Sequence, residues 1–361
     1  MSRFLVHSAV RRGSRSALMC LLLASGASPV TRGDDRVTVL PEGKSKPIVV
    51  VGDVQSFDAR MITIRVKSGI PIQTFPTESV LDVETRQVPG FTRGIDAFES
   101  GDIARAEAEF LQAVSLEKRL WVREEIYGWL VRCARRRGDR TAAGEYFNQI
   151  LSIEAETRQW GLVPLVWAAE TIDAALQDSA AKWLTSLDEG TRLMGASALL
   201  LDSRRSEAAQ REMDKLARSP DQIVNSLARA QLWRIRLVDA ELTRNELESW
   251  RAQIERMPAE LRAGPMYLAG RAAALQNDTQ QAATDWLWLP LVYTQDEPLA
   301  GRACLDAADA LARLGRHDEA LTLYEEVVDR FGFTPAAQEA RQRVSELSGD
   351  PSDRRDPDGS G

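Results

Sequence analysis

Histidine is nearly missing from this chain of 361 residues, which has two. They are His7 and His317, and only His317 lies beyond the first few residues. It stands in a polar turn, Gly315-Arg316-His317-Asp318, where an imidazole faces water. A lone solvated histidine gives no basis for a nucleophile–base pair or a histidine-built metal centre. Cysteine is scarce too, with three in all: Cys20, Cys133 and Cys304. They form no CxxC or Cys/His spacing, so neither a disulfide framework nor a metal site is expected. Cys133 and Cys304 are expected as buried free thiols. There is no Gly-rich phosphate loop, no HExxH and no GxSxG. Glu124 and Glu125 are adjacent, hence about 100° apart around a helix and poorly placed as a dyad. The chain is therefore read as no enzyme, with no catalytic residue, metal or cofactor assigned.

Basic excess is also absent. The formal net charge is −7, with 44% hydrophobic and 27% charged residues. That is a soluble composition able to bury a sizeable core, and an acidic chain makes a poor partner for nucleic acid. Nor is there a long apolar run. The stretch Ala17-Leu-Met-Cys-Leu-Leu-Leu-Ala24 is far shorter than the ~20 residues a bilayer span needs. Arg3, Arg11, Arg12 and Arg15 surround its start, and Ser25-Gly26-Ala27 follow it, so residues 1–27 read as an export signal. Its removal, which takes four positive charges and no acid, leaves −11 and places the mature chain in the periplasm or outside the cell. Met19 before Cys20 argues against lipidation. No later segment is long and apolar enough to span a membrane.

Residues 36–86 differ from everything after them. Val37–Leu40, Ile48–Val51, Met61–Val66 and Val80–Val83 are short β-branched runs punctuated by Pro41, Gly43, Pro47, Gly69, Pro71 and Pro76. Met61, Thr63 and Arg65 alternate with Ile62, Ile64 and Val66. Gly52, after four apolar residues, would let a long strand bend sharply. These signs predict a small all-β module, a five-stranded SH3-like or Sm-like barrel serving as a cap or docking element.

From Arg93 to Glu346 the pattern is helical. In the stretch from Leu299 to Leu347, apolar and small residues recur three and four apart in two blocks broken at Gly315, which fits a left-handed helix end. Ala308, Ala320, Tyr324 and Val327 fall on packing faces. Gly94, Gly101, Ala106, Phe110 and Ala113 repeat the arrangement, as do Gly138, Ala143 and Phe147 with Val131 and Ile150 in place of small residues. Gly270, Ala282, Trp286 and Leu289 make a further unit, with Asn277 at the turn, where Asn is the next best residue at positive φ. In these residues the chain resembles the tetratricopeptide repeat (TPR), a helix-turn-helix unit of about 34 residues. The resemblance covers about 90–155 and 262–347 and implies a TPR-like α-solenoid of stacked helix pairs, mainly α, over 90–347. The span 162–257 reads as helical with HEAT-like pairs, one of them opened by Pro220 with Ser219 as its cap. The polar tail 348–361 reads as disordered.

A solenoid of this kind implies a protein or peptide partner on its concave face. The resemblance puts Arg132, Arg135, Arg136, Arg271, Arg302 and Arg313 at lining positions. Guanidinium forks suit carboxylates, so an acidic partner is expected there. The bland alternative pairs these arginines with local acids such as Glu125 and Asp309. All nine tryptophans fall within 121–288. Trp160 and Trp250, with polar neighbours, are the expected surface candidates, the others packing between helices. The leading reading is a non-catalytic interaction scaffold of a bacterial envelope. The alternative is a peptidoglycan-binding superhelix shaped like the non-catalytic part of soluble lytic transglycosylases.

Overall fold

The computed structural model describes residues 34–66, 71–169, 171–239 and 242–348, with 2–5 described by backbone alone. The export-signal stretch lies outside the described residues apart from Ser2–Leu5, and so does the C-terminal tail from 349 on.

Six strands form one antiparallel sheet: β1 (Ser2–Leu5), β2 (Asp35–Val39), β3 (Ile48–Phe57), β4 (Met61–Val66), β5 (Ile72–Pro76) and β6 (Val80–Thr85), in the order β1-β6-β2-β3-β4-β5. Among the described residues the order runs from β1 at one end to β5 at the other. The small all-β module expected here is present as this antiparallel sheet, with a 3-10 turn at Thr77–Ser79 before β6. Gly52 does what its position suggested in a different way. It is the residue at which β3 passes from pairing with β2 to pairing with β4, opposite both Asp35 and Val66. A Cβ there would lie 2.4 Å from the Arg65 carbonyl oxygen, so only glycine permits this crossing. Val37, Val39, Ile62, Ile64 and Val83 fill the buried face by strict alternation.

Fourteen helices follow among the described residues. They are α1 (Pro89–Glu99), α2 (Ile103–Leu116), α3 (Leu120–Arg136), α4 (Arg140–Ile153), α5 (Ala174–Trp183), α6 (Glu189–Leu199) and α7 (Ser206–Leu216), then α8 (Gln222–Asp239), α9 (Arg244–Arg256), α10 (Ala263–Leu275), α11 (Thr279–Leu291), α12 (Glu297–Arg313), α13 (His317–Arg330) and α14 (Pro335–Ser348). The chain packs as two compact units, residues 1–133 with 146–159, and residues 134–145 with 160–361. In the first unit the sheet and the first helices share one core, from Val37 and Ile62 through Phe91 and Phe110 to Trp121, Ile126 and Leu130. Buried Asp35 joins them. It accepts the Val54 N–H at 2.9 Å and the Thr85 hydroxyl. Arg119 donates to Thr85 Oγ1 and to the Arg86 carbonyl, each at 2.5 Å, and pairs with Glu117 at 2.7 Å. Burial still pushes the Asp35 carboxyl up, against those favourable contacts.

The helix pairs rest on one spacing. Gly94 and Phe110, Val131 and Phe147, Gly270 and Trp286, and Ala308 and Tyr324 are each sixteen residues apart, and all are buried. A Cβ at Gly94 would sit 2.5 Å from the Phe110 ring, and one at Gly270 2.6 Å from the Trp286 indole. In these two pairs the glycine is thus the seat for the bulky side chain on the next helix. Between each pair the chain turns through a residue of positive φ: Gly101 (83°), Gly138 (73°), Asn277 (60°) and Gly315 (76°). Asp102, Asp139 and Asp278 then cap the following helix by accepting the N–H three residues on, at 2.9–3.2 Å.

Two local expectations are corrected. Residues 163–169 and 171–173 are not helical. Pro164 interrupts the backbone ladder, and side chains take its place. Val166 donates its N–H to Ser197 Oγ at 2.9 Å and accepts from Gln231 Nε2 at 3.1 Å. Arg135 donates to the Leu162 and Val163 carbonyls, both at 2.9 Å. The helix after Pro220 starts at Gln222, and Asp221 rather than Ser219 caps it, accepting the N–H groups of Ile223 (2.8 Å) and Val224 (3.1 Å).

Candidate functional site

The non-helical residues 164–169 and 171–173 form one wall of a cavity of about 620 Å³, all of whose lining residues belong to the second unit. Its floor is apolar: Val166 and Trp167 from the segment, Leu176 and Trp183 from α5, Met194 and Ala198 from α6. Small residues open room for these indoles. A Cβ at Gly144 would lie 2.1 Å from Trp183 Cη2, and one at Gly264 2.0 Å from Trp167 Cε2. Five guanidinium groups stand in the walls, those of Arg135, Arg136, Arg137, Arg140 and Arg302, with three carboxylates, Asp173, Asp296 and Glu339. Phe333 and Pro335 complete the far side.

The walls are tied by ion pairs. Arg135, held on the two carbonyls, also approaches Asp296 at 3.6 Å. Arg136 grips Glu297 with a fork of 2.6 and 2.9 Å and lies over the Phe333 ring at 5.3 Å. Arg302 holds Asp306 at 2.7 Å and Glu339 at 3.0 Å. Asp306 also accepts the Tyr267 hydroxyl at 2.9 Å. Burial raises the Asp306 carboxyl against the pull of Arg302, and burial first, then the Asp306 charge, raises the Tyr267 phenol. Burial pulls Arg302 down most, but the charge and hydrogen bond of Asp306, with Tyr267 and Glu339, together raise it. Arg140 is lowered because burial outweighs the charges of Asp296 and Asp173.

The six arginines singled out from the sequence do not form one row. Arg135, Arg136 and Arg302 meet in the cavity wall, each engaged by partners on this chain. Arg132 belongs to the first unit and stacks over Trp129 at 5.0 Å. Arg271 does not line the cavity; its charge acts on the Tyr267–Asp306 pair. Arg313 is exposed at the end of α12. Of the local acids named with them, Asp309 accepts from Tyr324 and pairs with Arg343 at 3.4 Å, and Glu125 pairs with Arg158 at 3.8 Å. Arg137 and Arg140 escaped sequence reasoning because it followed lining positions of the helix and stopped where α3 ends. The run Arg135-Arg136-Arg137 with Arg140 was the available signal.

The tryptophans need the same correction. Trp160 and Trp250, expected at the surface, are buried at 4% and 5% exposure, Trp250 stacking on Trp233 with ring centroids 4.6 Å apart. Trp288 is the exposed one, at 41%. Cys133 and Cys304 are buried and in no disulfide, and burial pushes the Cys304 thiol up to about 12. His317 is exposed at the start of α13. Among the described residues no group of three or more His, Cys, Asp or Glu could hold a metal ion, and no helix is long and apolar enough to cross a membrane.

One acidic cluster lies in the first unit. Glu124 is buried at 1% exposure and accepts the Thr157 hydroxyl. Burial raises its carboxyl to about 7, against the opposing charge of Arg158. Gln159 donates to neighbouring Glu125 at 2.8 Å, and Arg158 lies 3.7 Å over the Phe57 ring.

The tetratricopeptide repeat family model matches residues 91–158 and 267–337, the two blocks that carry the sixteen-residue pairs. These matches support a TPR protein and a scaffold for protein–protein interaction. No curated protein matches the chain.

Proposed function

We propose that this protein is an exported, non-catalytic scaffold of a bacterial cell envelope, whose TPR-like helix pairs hold a segment of another envelope protein. The observation that carries the reading is the recurrence, four times over, of a buried bulky side chain sixteen positions after a buried residue of the preceding helix, with Gly94 and Gly270 seating the Phe110 and Trp286 rings directly, in the two blocks the repeat family matches. Packing of this kind uses the signature residues for stacking and leaves the remaining helix faces to a partner. The arginine-rich start with its short apolar run supports export. The glycan alternative needs exposed indole platforms, and the two tryptophans chosen for that role are buried.

Cross-linking in the native host, followed by mass spectrometry of the captured species, tests the scaffold reading. A defined protein partner, cross-linked to peptides from 91–158 or 267–337, is the expected result. Pelleting with purified peptidoglycan and no protein capture would replace it with the glycan reading. Fractionation tests export separately: a periplasmic chain starting near residue 28 is expected, and a cytosolic chain retaining Met1 would sink it.

A further inference from the structure

We propose that the outer edge of β6 is a strand-acceptor site. Ser2–Leu5 fills it in the unprocessed chain. After removal of residues 1–27 it takes an extended segment of another protein, with a basic residue where Arg3 stood and an apolar one where Phe4 stood. The inference deepens the scaffold reading by placing a second partner contact outside the two repeat blocks, and it rests on the export reading for the removal of residues 1–27.

The sheet shows the site in use. β1 runs antiparallel to β6 with Ser2 opposite Thr85, Arg3 opposite Glu84, Phe4 opposite Val83 and Leu5 opposite Asp82. Among the described residues β6 pairs with β2 on one side and β1 on the other. β1 comes from the stretch read as an export signal, so the cut that releases the mature chain also removes this neighbour. A row of backbone N–H and C=O groups is then left along β6, the template on which a strand of another chain adds. Sheets commonly blunt such an edge with proline. The opposite end of the sheet has one, Pro76 in β5, whereas β6, Val-Leu-Asp-Val-Glu-Thr, has none. The register sets the occupant, because residues directly opposite each other share a face. Val83 and Thr85 are buried, so positions opposite them border the core, and the one opposite Val83 calls for an apolar residue. Glu84 lies on the other face and holds Arg36 of β2 at 3.5 Å. It stands opposite an arginine in each neighbouring strand, Arg36 and Arg3, and opposite charges at paired positions favour each other. A second copy is a poor occupant. Two β6 strands paired antiparallel about Val83 would set Asp82 against Glu84 twice, like charges directly opposite.

Disulfide trapping tests the edge in its register. The chain without residues 1–27 is produced with D82C and mixed with a blocked peptide of residues 2–6 carrying L5C, the position opposite Asp82. Cys133 and Cys304 are buried and stay out of the exchange. The peptide is expected to trap this chain about tenfold faster than a scrambled peptide of the same composition does. It is also expected to trap it about tenfold faster than the unprocessed chain carrying D82C and C20S, whose own strand holds the edge at high effective concentration. R3E or F4S in the peptide should slow trapping severalfold. Thermal melting checks folding; if D82C unfolds, E84C with a peptide carrying R3C gives the same two comparisons. Equal trapping by the scrambled peptide, equal trapping of the shortened and unprocessed chains, or no trapping overturns the proposal. Disulfide-linked dimers of the shortened chain in place of the peptide adduct would assign the edge to a second copy and likewise overturn it. Because the shortened chain is made directly, the result does not depend on export. A cytosolic chain retaining Met1 would sink the export reading and leave the acceptor edge to be decided by trapping.

Discussion

Gly264 on α10 and Trp167 in the non-helical segment lie so close that a Cβ on the glycine would come within 2.0 Å of the indole. The indole is 7% exposed and walls the cavity. This contact fixes where the segment 163–173 runs, and it makes a first prediction. G264A forces the ring or the helix to move and should cost about 1–3 kcal/mol in urea unfolding. The control is A169G, at an exposed residue of the same segment, expected within about 1 kcal/mol of wild type. Equal costs for the two variants would contradict the packing described.

The turns give a second. Gly315 has φ of 76° and open space around its Cα, whereas Asn277 holds 60° in the equivalent turn. G315A should therefore lose about 1 kcal/mol through backbone strain alone, and N277G should change stability little. Thermal unfolding of both variants checks the contrast.

Arg135 reaches the Leu162 and Val163 carbonyls with one nitrogen, at 2.9 Å each. R135A leaves those carbonyls without this donor and should cost about 3 kcal/mol. Cleavage by a protease between residues 163 and 173 should accelerate at the same time. A variant as stable and as resistant as wild type would show that the segment is held by other contacts.

Glu124 supplies a pH dependence. Its carboxyl titrates near 7 in the folded chain, against an ordinary value of 4.5. Between these values the folded chain keeps a proton that the unfolded chain sheds. Stability from this group therefore falls as pH rises through that window, by up to about 3 kcal/mol, and levels off above it. E124Q keeps a partner for Thr157 and should remove this slope, so that the variant gains on wild type between pH 5 and pH 8. Denaturation midpoints across that range, parallel for both proteins, would refute it.

The buried thiols give a fifth. In a C20S chain, Cys133 and Cys304 should resist iodoacetamide at pH 8, because burial covers both and holds the Cys304 thiol near 12. Both should react once urea unfolds the chain, as read by intact mass.

Much of the helical part was legible because its rules are local. Gly94 and Phe110, or Ala308 and Tyr324, recur at one interval, and Gly101, Gly138, Asn277 and Gly315 punctuate it with residues that accept a left-handed backbone. Strand alternation from Met61 to Val66 was legible for the same reason. The site was less so. Three of the six chosen arginines reach the cavity, while Arg137, Arg140 and the Trp167–Trp183 floor went unnoticed. Trp160 and Trp250 have polar neighbours in sequence, yet their burial depends on helices distant along the chain.

Local chemistry along the chain dictates the stacking of paired helices and the turns between them, since side-chain volume and backbone φ act over a few residues. Long-range packing alone settles the strand order of the sheet, the core it shares with α1–α3, and the cavity. The cavity's walls are joined by Arg136 to Glu297 across 161 positions, and Val166 is paired through Gln231 across 65. Contacts at such separations leave no period in the chain, because they are fixed by where whole helices come to rest.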